Sequence, residues 1–98
     1  MDIKFNTEQM MNTAVAIEDD ASNYQRIYEQ LINAASTMGP AFDTPENRDF
    51  VDQIEGCTRE LKAMVERLNA TAQLLKAQAN NYQEISDINK AQVRKLQN

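Results

Sequence analysis

The residues of this chain that could do chemistry are few, and most of them are acidic. Asp49, Asp52 and Glu55 recur every three residues, a spacing that places carboxylates on successive turns of a helix, where they could attract a cation. The chain has no histidine, so the usual general base is missing. Its single cysteine, Cys57, cannot form a Cys–His nucleophile pair, and no glycine-rich phosphate loop or Cys-x-x-Cys metal pattern occurs. We therefore expect a protein that is not an enzyme and needs no cofactor or metal, with the three carboxylates at the solvated start of a helix.

Charge is distributed unevenly along the chain. The net charge of −5 argues against nucleic acid as a partner, because phosphate binding needs a basic surface. Residues 1–56 carry eleven acidic and three basic side chains, whereas residues 57–98 carry four acidic and seven basic ones. This asymmetry indicates either two solvated faces or two arms that pair with complementary charge. No apolar run is long enough to span a membrane, and Met1–Phe5 has no signal-peptide core.

The elements that position these side chains are organised around residues 37–45, which contain both prolines and one of the two glycines. The turn motif is Met38-Gly39-Pro40: we expect Gly39 to close a helix in the left-handed conformation, and Pro40 to prevent that helix from continuing. Thr44 is the predicted N-cap of the second helix, with Pro45 at its first helical position. The pattern predicts a single domain over residues 1–98, with a first helix at about 7–38, a turn at 39–44 and a second helix at about 45–96.

The first arm follows a lead-in at residues 1–5 that reads as extended, and Asn6 is its predicted N-cap. Apolar or small residues then recur in alternating steps of four and three, which is a heptad pattern on one face of a helix. These residues are Met10, Ala14, Ile17, Ala21, Tyr24, Tyr28, Leu31, Ala35 and Met38.

The second arm repeats this pattern, with a flanking row that widens its apolar face. The main stripe comprises Phe50, Ile54, Cys57, Leu61, Met64, Leu68, Thr71, Leu75, Gln78, Tyr82 and Ile85. The flanking row comprises Val51, Thr58, Val65, Ala72, Ala79 and Val93. We interpret Cys57 as buried filler rather than as a site for an intermolecular disulfide. Gly56 indicates either close helix packing or a tolerated surface glycine.

The short turn predicts an all-α fold, an antiparallel helical hairpin with a long second helix. Matching residues outward from the turn places Ile17 opposite Val65 and Met10 opposite Ala72, with the acidic cluster at 18–20 near Lys62 and Arg67. Residues 82–98 would project beyond the first arm.

A lone pair of helices buries little surface, so we expect a four-helix bundle formed by dimerisation. The residues predicted at the dimer or partner interface are Tyr24, Ile27, Tyr28, Leu31, Val65, Leu68 and Leu75.

The chain resembles the WXG-motif proteins of type VII secretion, the early secreted antigen-like group. The resemblance covers about Ile3 to Tyr82. It consists of the lead-in at residues 3–9, the position of the turn, and Gly39, which matches the glycine of the motif. The tryptophan of the motif is missing, and Thr37 or Met38 stands in its place. Phe50 lies near where the family often has an aromatic residue early in the second helix.

The resemblance implies a small non-enzymatic secreted subunit, or a partner or targeting chaperone of a larger exported effector of the LXG toxin type. It implies a homodimer or a heterodimer with another small helical protein, or pairing with the effector's helical N-terminal domain. It also implies a Gram-positive bacterial protein that is cytoplasmic before export and is secreted without a cleaved signal peptide. The family's C-terminal export signal is Tyr-x-x-x-Asp/Glu; here Tyr82 is followed by Ser86 at the fourth position, and Asp87 comes one residue late, a degenerate form of the signal.

Two alternatives stay open at this stage. One is a cytoplasmic coiled-coil scaffold with no link to secretion. The other is a subunit like those of type III secretion needles, which would polymerise into filaments.

Overall fold

Two long antiparallel helices form the structure, a computed structural model that describes residues 3–41 and 43–97, with side chains from Asn6 onward. Helix α1 spans Ile3–Ala41 and helix α2 spans Pro45–Gln97. They lie side by side and form a rod of 81 × 18 × 14 Å. The prediction of an all-α hairpin with a long second helix is confirmed.

The first helix is longer at both ends than the sequence predicts. It already includes Ile3, so the backbone from there to Phe5 is helical rather than extended, and Asn6 is not an N-cap. At the other end α1 continues through Gly39 and Pro40, and no glycine has a positive φ among the described residues. The prediction that Gly39 adopts the left-handed conformation is therefore wrong. The φ of proline, near −65°, suits a helix, and so close to the helix end its missing N–H costs only one intrahelical bond. Phe42, also part of the predicted turn, lies outside the described residues.

Side chains close the corner between the helices. The Thr44 hydroxyl accepts a hydrogen bond from the Asn47 backbone N–H at 3.2 Å, and the Thr44 carbonyl accepts one from the Arg48 N–H at 3.0 Å. The predicted N-cap at Thr44, with Pro45 in the first turn, is confirmed. The Asn47 side-chain amide also donates to the Met38 carbonyl at 2.9 Å. That carbonyl is one of the last four of α1, which lack helical donors, so Asn47 links the end of one helix to the start of the next.

The helices meet along a row of small residues that recurs every seven positions, which we call the seam. Its buried members are Ala14 and Ala21 in α1 and Val65, Ala72 and Ala79 in α2, each at most 5% exposed. Four of these five side chains are single methyl groups, so the helix axes can approach to the short end of the usual range, about 8 Å. The flanking row predicted for α2 is therefore the true contact row, and the main stripe lies to one side of it.

A cross-helix ion pair marks the register of the hairpin. Lys76 Nζ lies 2.6 Å from Glu18 Oε1, and both side chains are about two-thirds buried. This pair brings Ala14 and Ala21 level with Ala79 and Ala72. The acidic cluster at 18–20 thus meets Lys76, and not Lys62 or Arg67 as expected.

Consistent with this register, Met10 lines a hollow with Tyr82 and Ile85 rather than lying opposite Ala72. The expected register, which set Met10 rather than Ala21 against Ala72, was wrong by eleven residues, partly because it was counted outward from a turn that began after Met38, whereas α1 continues to Ala41. The overhang is shorter for the same reason. Tyr82 and Ile85 still pack beside α1, and the projecting part of α2 begins near residue 89.

Gly39 provides a test of the helix end. A Cβ added there meets no atom within 4 Å, and the backbone is already helical, so Gly39→Ala should raise the free energy of unfolding by about 0.5–1 kcal/mol. Gly56→Ala is the benchmark, because its Cβ would make only an ordinary contact, 3.8 Å from Arg59 Nη2. Urea unfolding followed by circular dichroism measures both. A destabilised Gly39→Ala beside a stabilised Gly56→Ala would show that residue 39 needs the left-handed conformation after all.

Ala72 tests the seam. Ala72→Leu inserts three carbon atoms between closely packed helices and should lower the free energy of unfolding by about 1–3 kcal/mol. Ala70→Leu, on the exposed side of the same turn, is the matched control and should change stability by less than about 0.5 kcal/mol. If the two substitutions changed stability equally, Ala72 would not belong to the contact between the helices.

Candidate partner-binding face

The hairpin has two unlike faces, which follow from the position of each residue relative to the seam. Each residue of a helix is turned by about 100° from the one before it. The residue one position before a seam residue and the residue three positions after it therefore lie on one side of the seam. The residues one and four positions after it lie on the other side. Two antiparallel helices are related by a twofold axis perpendicular to their common plane, so corresponding sides of α1 and α2 lie on the same face. The hollow lined by Met10, Tyr82 and Ile85 lies on the first face, and the Glu18–Lys76 pair lies on the second.

The first face carries most of the large apolar side chains of both helices, and we call it the apolar face. In α1 it contains Met10, Ile17, Tyr24, Ile27, Leu31, Ala34 and Met38; in α2 it contains Phe50, Ile54, Cys57, Leu61, Met64, Leu68, Leu75, Tyr82 and Ile85. Many of these are half-buried against the seam, but Phe50 and Ile85 keep about half of their surface exposed. Apolar surface collected on one side of a molecule makes that side the candidate site for contact with another protein.

The apolar face is almost free of charge. Among the described helical residues in the positions three after and one before the seam, Asp20 alone is charged. Thr71 lies on the same face, and its hydroxyl donates to the Arg67 carbonyl at 2.9 Å. A surface without competing charges can be covered by apolar side chains at little desolvation cost.

The opposite face is polar. It carries the Glu18–Lys76 pair and a hollow lined in part by Glu55 and Arg59. Val15 and Ile32 are exceptions, each nearly half exposed. The hairpin therefore presents one surface suited to a partner and one suited to water.

The predicted interface residues divide between the face and the seam. Tyr24, Ile27, Leu31, Leu68 and Leu75 all lie on the apolar face. Val65 is only 5% exposed and belongs to the contact between α1 and α2, so it is not available to a partner. Tyr28 occupies the seam position level with Val65 and is half-buried.

The remaining predicted residues lie at the two ends of the hairpin. Met38 is half-buried beside the corner, whereas Gly39 and Pro40 are exposed in the last turn of α1. Tyr82 is 45% exposed on the apolar face. Asp87 lies about 140° further round α2 and accepts a hydrogen bond from the Gln83 side chain at 3.1 Å, so Tyr82 and Asp87 do not share a face.

Cys57 is exposed, and its interpretation as buried filler is wrong. It lies one position before the seam residue Thr58, on the outer part of the apolar face, beside Leu61 and Met64 in a shallow hollow. Within residues 3–41 and 43–97, no three histidine, cysteine or acidic side chains come together as a metal site.

The exposed area of the chain is large for its mass. The hairpin exposes 7447 Å², whereas a compact monomer of 11.2 kDa exposes about 5,700 Å². The excess of about 1,700 Å² exceeds the roughly 800 Å² that each partner buries in a standard interface. The elongated hairpin therefore leaves more surface uncovered than a compact fold of the same mass would, and the difference is larger than one side of a standard interface.

The apolar face, with Asp20 as its one charged residue in the described helices, is the candidate site for contact with another chain. Over the described residues, neither helix has a stretch long and apolar enough to cross a bilayer. No protein-family model matches the chain, and no curated protein or solved structure matches it.

Proposed function

We propose that this chain is a small non-enzymatic subunit of a type VII secretion system that pairs through its apolar face with another helical protein. The partner is a second small helical chain, alike or different, or the helical N-terminal domain of a larger exported effector of the LXG type. In this role the hairpin is a secreted subunit or a targeting chaperone. The link to secretion rests on the resemblance in length, turn position and Gly39.

The observation that carries the pairing is the uncovered apolar face. Two helices joined by a seam rich in alanine leave part of their large apolar side chains uncovered along one side of the rod: the leucines there are half-buried, and five larger side chains are 37–50% exposed, namely Tyr24, Ile27, Phe50, Tyr82 and Ile85. A second helical pair packed on that side would complete a four-helix bundle.

Two isoleucines of α1 provide a matched test of the pairing. Ile27 is 45% exposed on the apolar face, and Ile32 is 46% exposed on the polar face. Ile27→Glu should weaken binding to the co-expressed partner by more than about tenfold, because it places a carboxylate in an apolar contact. Ile32→Glu should change binding by less than about twofold. Co-purification with the helical products of neighbouring genes, followed by calorimetry, measures both. Equal losses would place the contact elsewhere, and a chain that binds none of these products would oppose the proposal.

Two tyrosines of the apolar face test the export signal. Tyr82→Ala should abolish appearance of the chain in culture supernatant, whereas Tyr24→Ala should not. The two side chains are similarly exposed, at 45% and 37%, so the two substitutions remove similar apolar area from any interface. Immunoblots of supernatant and cell fractions, with pairing measured in parallel, distinguish the effects. If Tyr82→Ala is exported normally, Tyr82 is only a residue of the apolar face. A wild-type chain that pairs but never leaves the cell would favour the scaffold alternative.

A further inference from the structure

A single negative charge, that of Asp20, lies near the middle of the apolar face, and two copies of this chain that paired through this face would have to bury it. Asp20 precedes the seam residue Ala21 and lies on the apolar face, exposed in the hairpin alone. The midpoint of α1 is residue 22, so Asp20 lies about 3 Å from it along the axis. Helix α2 spans the length of the rod, and its midpoint, residue 71, lies level with residue 22 in the register of the seam, so the midpoint of the whole rod lies at the same place.

We propose that Asp20 selects against a second copy of this chain, and that the apolar face is covered by a different helical chain that places a lysine or arginine opposite Asp20. This inference rests on the proposed function only in taking the apolar face to be covered by helices.

An antiparallel pair of identical hairpins brings the two Asp20 side chains together. Packed face to face with the corner of one copy on the open end of the other, α1 lies on α1 and the twofold axis crosses near the midpoint. The two carboxylates would then lie within about 6 Å of each other along the rod. Like charges this close in a surface that excludes water oppose association strongly.

In this arrangement the oppositely charged ends of the two rods attract each other, but the charges involved lie outside the contact surface. The overhang carries Lys90, Arg94 and Lys95, and the start of α2 carries Glu46, Asp49 and Asp52. These charges are exposed and lie mostly on the polar face or the outer side of α2, where salt screens them. They favour an antiparallel orientation without neutralising Asp20.

A parallel pair of identical hairpins meets a different cost. It would place Asp20 on the second copy's α2 near Thr71 and Leu75, with Arg67 about one turn away on the outer edge. It would also stack the two acidic corners on each other and the two basic overhangs on each other. Neither arrangement of two copies satisfies the face, whereas a different chain with one cation at mid-length does.

Self-association of purified variants tests this inference, measured by sedimentation equilibrium at physiological salt. Asp20→Asn keeps the shape and removes the charge, and should dimerise at least about tenfold more tightly than the wild type. Asp19→Asn, on the exposed neighbouring position, is the control and should match the wild type. An equimolar mixture of wild type and Asp20→Lys should form a one-to-one pair more tightly than either protein alone.

The opposite outcomes are distinct. A wild type that dimerises as tightly as Asp20→Asn, or an equal gain from Asp19→Asn, would overturn the role of Asp20 and leave the proposed pairing function standing. Absence of association in Asp20→Asn and in the mixture would also overturn the inference, because Asp20 would then not be what keeps a second copy away; the proposed pairing with a different chain, which the Ile27→Glu and Ile32→Glu variants test, would still stand.

Discussion

The rest of the structure depends on the close approach of two helices along a row of alanines. Where methyl groups line the contact, helix axes can approach to about 8 Å, and a leucine at the same place would hold them further apart. The short distance leaves no room between the helices for the larger apolar residues. These are displaced to one side, where the antiparallel geometry collects the displaced residues of both helices. The same contact thus makes the hairpin thin and gives it an uncovered face.

The corner complements the seam by fixing where the helices begin to run together. A backbone turn with a left-handed glycine would have satisfied the end of α1 by main-chain bonds. Here the Asn47 amide takes that role for Met38, and Thr44 does so for the first turn of α2. Because these bonds come from side chains, α1 can keep helical geometry through Gly39 and Pro40.

Sequence reasoning predicted the helices, their order and the N-cap at Thr44, because heptad spacing and capping chemistry are local. It did not predict the register. The expected register was counted outward from the turn, and the sequence places the end of α1 three residues too early. The larger apolar side chains of Leu61 and Leu68 also assign the main stripe of α2 to a row beside Ala72 rather than to the row that contains it. The available signal was that alanines recur at a spacing of seven in both arms, in Ala14 and Ala21 and again in Ala72 and Ala79. Pairing these two sets gives the register in which Glu18 and Lys76 form their ion pair. The exposure of Cys57 follows from the same misassigned row.

Threonines recur in α2 at positions where the sequence looks polar. Thr58 in the seam donates its hydroxyl to the Ile54 carbonyl at 2.8 Å, and Thr71 on the apolar face does the same with Arg67. The hydrogen of each hydroxyl is already used within its own helix, so removing water from these side chains forfeits little hydrogen bonding. Each threonine therefore packs much as valine would, Thr58 against α1 and Thr71 toward any chain that covers the apolar face. The surface of α2 is more hydrophobic at these positions than its sequence suggests.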